Sequence, residues 1–240
     1  MIFPKNIIGP QFAKGDLVSF HFNGAELTFR APIIPKNDQN IDEISPLKNL
    51  RNINTEDWSR NDQGRPCIQL AQQMWAFEDA QTLDDIAQCS LYVSLIEVTQ
   101  QHTDQNILLT QKSFDELMFS WMDYSFAAHE EVDESNQSLR PYKITSIEKQ
   151  YLNWLKAQVR FTPETSPSPI CMMTINHRFV VMVSLEIESL HYTGRTNPYS
   201  EDTLKQFEKN LFDDFLSHIK IEYSPELIEK IQSLKNKTPA

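Results

Sequence analysis

A chain of 240 residues, 40% hydrophobic and 10% aromatic, carries enough apolar material to bury a substantial core. Its 33 acidic against 22 basic residues leave a formal net charge of −11. That balance argues against a nucleic-acid backbone or an anionic membrane surface as partner, since both need a basic face, and it favours a basic protein. No apolar run approaches the ~18 residues of a membrane helix, and Met1–Pro10 has neither the apolar core nor the cleavage site of a secretory signal, so the cytoplasm is the expected location.

Asp16 to Arg30 is the clearest local pattern. Asn23-Gly24 marks a type I′ turn between two alternating runs. It pairs Phe22 with Ala25, Phe20 with Leu27 and Val18 with Phe29 on an apolar face. His21–Glu26 and Ser19–Thr28 fall on a polar one. His21 beside Glu26 has the makings of a catalytic pair, but an exposed cross-strand contact is the expectation. Residues 31–66 hold four prolines and many Asn and Asp without a sustained period, so a long irregular excursion is expected, with a short helix around 42–50. Within it Trp58 is a candidate interface anchor.

Cys67 to Phe77 fits two patterns: Leu70, Met74 and Phe77 lie on a helical face, while Ile68 and Leu70 also suit a short strand. Leu91, Val93 and Leu95 alternate with Ser90, Tyr92 and Ser94, a strand over 88–99. Asn106–Thr110 is expected to be another. Ser113 to Glu116 matches a capping box, and Phe114, Leu117, Met118, Trp121, Tyr124 or Ser125, and Ala128 follow at helical spacing as one core-facing stripe. Beyond that helix, His129, Glu130, Glu131, Asp133 and Glu134 form an acidic patch. With Asp123 they offer oxygen ligands, yet the ordered alternation and glycine turn of a calcium loop are missing, so a solvated face and no metal are expected.

Thr145–Glu148 also matches a capping box and predicts a helical turn. Leu155, Ala157, Val159 and Phe161 then alternate with Lys156, Gln158 and Arg160 as a half-exposed strand starting near Tyr151. Residues 162–169 are a proline-bearing linker. Pro169 to Tyr192 is a core hairpin with Asn176-His177 as a two-residue turn, which places Met173 opposite Val180 and Met172 opposite Val181. Both of its faces are apolar near the turn, as in a central sheet position. At its far end His191, Arg195 and Tyr199 form a polar rim. A helix N-terminus there attracts anions, but Glu201 and Asp202 already occupy that end, so these three are read as interaction residues.

Ser200 caps a helix whose buried stripe is Leu204, Phe207, Leu211, Phe212 and Phe215. His218–Tyr223 is a short strand with Ile219 and Ile221 inward. Pro225 opens a last helix with Leu227, Ile228, Ile231 and Leu234 on one side. The sum is an α+β fold, an antiparallel sheet built from hairpins with about three helices packed on it. No composition shift divides the chain, so residues 1–240 are taken as one domain with 142–240 as a compact C-terminal half.

Cys67, Cys89 and Cys171 are odd in number and lack metal spacing, which predicts reduced thiols. With five glycines and none of the phosphate-loop, zinc-protease or nucleophile-elbow motifs, no catalytic residue and no cofactor is assigned. In element order and charge the chain resembles small acidic bacterial proteins that work by binding, toxin-neutralising immunity proteins among them. The leading expectation is therefore a non-catalytic protein-binding protein: an inhibitor, immunity protein or adaptor with an acidic surface. The alternative is a hydrolase-like enzyme whose dispersed site draws on His21, His129, His177 and His191 with a carboxylate.

Overall fold

The computed structural model describes residues 7–22, 24–31, 59–60, 66–81, 85–98, 107–127, 141–149, 151–160, 167–189 and 199–237. These build two antiparallel sheets and three α-helices. The larger sheet contains β1 (Ile7–Ile8), β4 (Ser59–Arg60), β5 (Pro66–Asp79), β6 (Asp85–Glu97), β7 (Tyr142–Lys149), β8 (Leu152–Val159), β9 (Ser168–Thr174) and β10 (Phe179–Ser189). Its order is β1-β5-β6-β10-β9-β8-β7, with β4 also paired to β5. The smaller sheet joins β2 (Leu17–Phe22), β3 (Ala25–Arg30) and β11 (Lys220–Tyr223) in the order β11-β3-β2.

The β2–β3 hairpin has the register that its turn and alternation demand. Phe20 faces Leu27, Val18 faces Phe29 and His21 faces Glu26, with Gly24 at φ +85° in the turn. His21 and Glu26 are surface groups whose Nδ1 and Oε2 lie 3.7 Å apart. Phe20, Leu27 and Phe29 are buried against the larger sheet. They share that core with Phe12 and with α2 (Glu201–Ser217), whose Ser200 cap accepts a hydrogen bond from the Thr203 amide at 3.2 Å. Phe215 of α2 touches both Phe12 and Phe29, at ring distances of 5.0 and 5.8 Å, and so ties helix, N-terminal segment and small sheet together. The opposite face of the larger sheet is covered over β8–β10 by α1 (Gln111–Ala127), through Phe114, Leu117, Met118, Trp121 and Met122. The last helix, α3 (Pro225–Lys237), starts against the β2–β3 turn, where the Ser224 amide donates to Gly24 O at 2.9 Å. Its Leu227 and Ile231 then bury with Leu109.

Several sequence expectations are corrected. The β9–β10 turn holds three residues, Asn176 to Arg178, so the ladder runs Val181↔Met173, Met182↔Met172 and Val183↔Cys171, one residue away from the expected register. Where both faces are apolar, a one-residue slip costs no burial, and the alternation cannot select a register. The turn selects it instead. Asn176 Oδ1 accepts the amides of Arg178 and Phe179, at 2.9 and 3.0 Å, and Ile175 N donates to Phe179 O at 2.9 Å. The central position of this hairpin is as expected, with every residue of β9 buried.

Residues 67–77 are entirely strand. A bulge between Gln69 and Ala71 puts Leu70 and Ala71 both inside and shifts the alternation from Ile68/Leu70 to Ala71/Gln73/Trp75/Phe77. This break in phase is what mimicked a helical face. Residues 107–109 are a 3-10 turn rather than a strand, and α1 already begins at Gln111, so Ser113 lies inside the helix and caps nothing. Thr145–Glu148 lies in β7, paired to β8, rather than in a helical turn. The short helix suggested around 42–50 falls outside the described residues. Cys67, Cys89 and Cys171 are thiols, not disulfides.

Replacing Phe215 by Ala empties the point where three elements meet. Its removal is expected to cost about 3–5 kcal/mol, the usual range for a buried Phe, read as a lowered urea midpoint with an unchanged slope.

Candidate functional site

Of the interaction and acidic-patch residues singled out from the sequence, Tyr199 alone lies among those described. Trp58, His191, Arg195, His129, Glu130, Glu131, Asp133 and Glu134 fall outside them. Tyr199 is half-buried at the head of α2, its ring 6.0 Å from Phe207. Its hydroxyl donates to Asp79 Oδ2 at 3.5 Å, the long limit of such a contact. Burial, then the Asp79 charge and hydrogen bond, push its phenol upward. Tyr199 thus joins the helix head to the end of β5.

Two of the four histidines are described, and they stand on different elements. His21 is on the small sheet beside Glu26. His177 is half-buried in the β9–β10 turn, where burial and then the charges of Lys230 and Arg178 hold its imidazole below the ordinary range. Arg178 Nε hydrogen-bonds Glu97 Oε1, and that carboxylate is buried at the end of β6. This pairing ties the turn to the neighbouring strand. Among the described residues no three His, Cys, Asp or Glu side chains gather as metal ligands.

The surface with the most distinctive chemistry is the outer side of α1. Burying Phe114, Leu117, Met118 and Trp121 turns Lys112, Asp115, Glu116 and Phe119 outward, since residues three and four apart share a helix face. With Gln111, on the same face of this one helix, they line a shallow groove wide open to solvent. Phe119 is 45% exposed there. Asp115 is held in place. Gln111 Nε2 donates to both its carboxylate oxygens at 2.7 Å, and Ser146 Oγ of β7 donates to Oδ2 at 2.9 Å. Among the described residues Glu116 has the distant Lys112 ammonium, at 4.0 Å on an exposed face. The groove therefore pairs a fixed carboxylate and a loosely held one with an exposed ring. Such a surface suits an apolar contact ringed by cations. The sequence signal was present: Phe119 falls off the stripe that Phe114, Leu117, Met118 and Trp121 define.

A second group missed from the sequence lies beneath α2. Glu208 occupies an inward position of the stripe, between Phe207 and Leu211, and is buried. Its Oε1 accepts the Ile187 amide of β10 at 3.2 Å. Burial raises its carboxyl to about 8, with Glu186 adding to the rise, while the Ile187 hydrogen bond and Lys205 oppose it. Glu186 is itself raised by burial and by Glu188. The Cys89 thiol is pushed well up by burial, then by Glu208 and Glu186, and is unsuited to nucleophilic work.

Against known proteins the chain matches no family model, and no curated sequence matches it.

Arg178→Ala would leave the buried Glu97 carboxylate without its guanidinium. Because Arg178 is itself half-exposed, a loss of about 2 kcal/mol is expected rather than the full cost of breaking a buried pair, measured by urea unfolding at neutral pH.

Proposed function

We propose that this chain is a binding protein of the inhibitor, immunity-protein or adaptor kind, and that it engages a basic protein partner through the outer side of α1. The observation that carries the reading is Phe119, an exposed ring in a groove edged by Asp115 and Glu116. Aromatic anchors with a polar rim supply most of the energy of typical interfaces. The formal charge of −11 speeds encounter with a cationic partner and disfavours nucleic acid and anionic lipid. The chain directly after α1 adds Glu130, Glu131, Asp133 and Glu134 in sequence. A cytoplasmic setting belongs to the same proposal, and the buried thiols of Cys89 and Cys171 fit a reducing compartment. Among the described residues no helix is long and apolar enough to cross a membrane.

The test is photo-crosslinking in the native cell extract from a reactive residue at position 119, with a second at exposed position 151 as control. A basic protein captured from 119 and not from 151 supports the proposal. Phe119→Ala should then weaken that partner at least about ten-fold, or ~1.4 kcal/mol, with a far smaller change in thermal stability. Raising salt from 50 to 500 mM should slow association. Equal capture from both positions, or a partner whose binding ignores Phe119→Ala, would refute it.

A further inference from the structure

Strand β10 outruns its neighbour. Its last pair with β9 is Ser184↔Ile170, whereas its pairing with β6 continues to Ser189. Where β9 stops, a side chain from α2 takes over: Glu208 Oε1 accepts the Ile187 amide at 3.2 Å. The carboxyl group responsible is buried and faces acidic company. Glu186 lies on β10 with Glu188 beside it, and the Cys89 thiol lies on β6, directly paired with Ile187. Among the described residues the cation acting on it is Lys205, a turn earlier on α2, whose ammonium is already 2.9 Å from Glu201.

The other half of α2 is fastened differently. Asp213 Oδ1 is 2.7 Å from Lys156 Nζ of β8, and Oδ2 is 3.0 Å from Lys209 Nζ. Burial opposes ionisation of Asp213, but the two lysines outweigh it and hold its carboxyl below the ordinary range. The Asp213 carboxylate is therefore ionised across the neutral range. One helix therefore carries two polar anchors about a turn and a half apart, one permanent and one that depends on a proton.

We propose that protonated Glu208 latches the N-terminal half of α2 to the end of β10, and that its ionisation frees this half while Asp213 keeps the C-terminal half docked. Ionisation strengthens the Ile187 hydrogen bond, but that gain is smaller than the cost of keeping a charge buried beside Glu186. The ionised carboxylate gains far more by reaching water and leaving Glu186. Lifting residues 200–208 also breaks the Tyr199–Asp79 contact and exposes Leu204 and Phe207, so the lifted half is a minor state that exchange detects, whereas Phe212 and Phe215 stay packed under the second anchor. The direction follows from linkage. The docked state binds the proton more tightly than the lifted one, because Glu208 titrates near 8 when docked and near its ordinary 4.5 when exposed. Docking is strongest below the ordinary carboxylate range, weakens as pH rises through this window and levels off above it.

Hydrogen exchange by mass spectrometry on the full chain, from pH 5 to 9 with rates corrected for intrinsic exchange, reads this directly. Protection in 201–208 and at Ile187 should fall by about ten-fold per pH unit through the window and flatten near its upper end. Protection in 210–217 should hold. Glu208→Gln should remove the pH dependence of the first half. Glu186→Gln, which deletes the like charge but not the latch, should move the window to lower pH. Loss of protection in both halves together, an unchanged profile in Glu208→Gln, or an unmoved window in Glu186→Gln would each overturn the proposal.

Discussion

From Val180 to Ser184 strand β10 is paired along both edges and covered on both faces, and the rest of the molecule arranges itself around that fact. Eleven successive residues pair with β6, and five pair with β9. Val181, Val183 and Leu185 face the core shared with the small sheet and α2, while Val180 faces the core under α1. A strand enclosed this way must satisfy every backbone polar group within the protein. When β9 gives out, Glu208 supplies the missing acceptor. The cost is a carboxyl buried beside Glu186, and the result is a helix whose hold on the sheet depends on a proton.

Polar side chains inside and outside this fold have different jobs. Inside, Asn176 and the Glu97–Arg178 pair set a turn that the hydrophobic pattern left open. Asp213 bridges α2 to β8 through Lys156. Outside, Asp115 is positioned by Gln111 and Ser146, yet it borders a groove with an exposed aromatic ring and no structural need for one. The first group explains stability. The second is what makes the α1 surface a functional candidate, because fixing a carboxylate at the surface contributes little to folding.

The site residues were harder to read from the sequence than the elements carrying them. Phe119 and Glu208 both break the stripe of their own helix, one an aromatic on the polar side and the other a carboxylate on the apolar side. That breach is visible by counting in threes and fours. What counting cannot supply is the partner: Ile187 and Glu186 lie on a strand about twenty residues away, and Ser146 lies 31 residues beyond Asp115. Short motifs misled for the same reason. Ser113–Glu116 and Thr145–Glu148 both spell a capping box, but one lies within a helix and the other within β7. A four-residue match lacks the free energy to override the pairing of a whole strand.

By itself the sequence determined the elements whose local signals agree with one another. Asn23-Gly24 with strict alternation specified the β2–β3 hairpin and its register. Ser200, Glu201 and Asp202 with the stripe from Leu204 to Phe215 specified α2, and Pro225 specified the start of α3. These belong to an α+β fold of antiparallel sheets and helices, legible from the same patterns. Tertiary structure decided the rest: the β9–β10 register, because both faces are apolar and a slip costs no burial; β7 as a strand, because β8 offered an edge to pair with; and the phase shift at Leu70, because a bulge leaves no mark in composition. It alone decided the protonation of Glu208, since a carboxyl's charge depends on the water and the charges around it, and both come from distant chain.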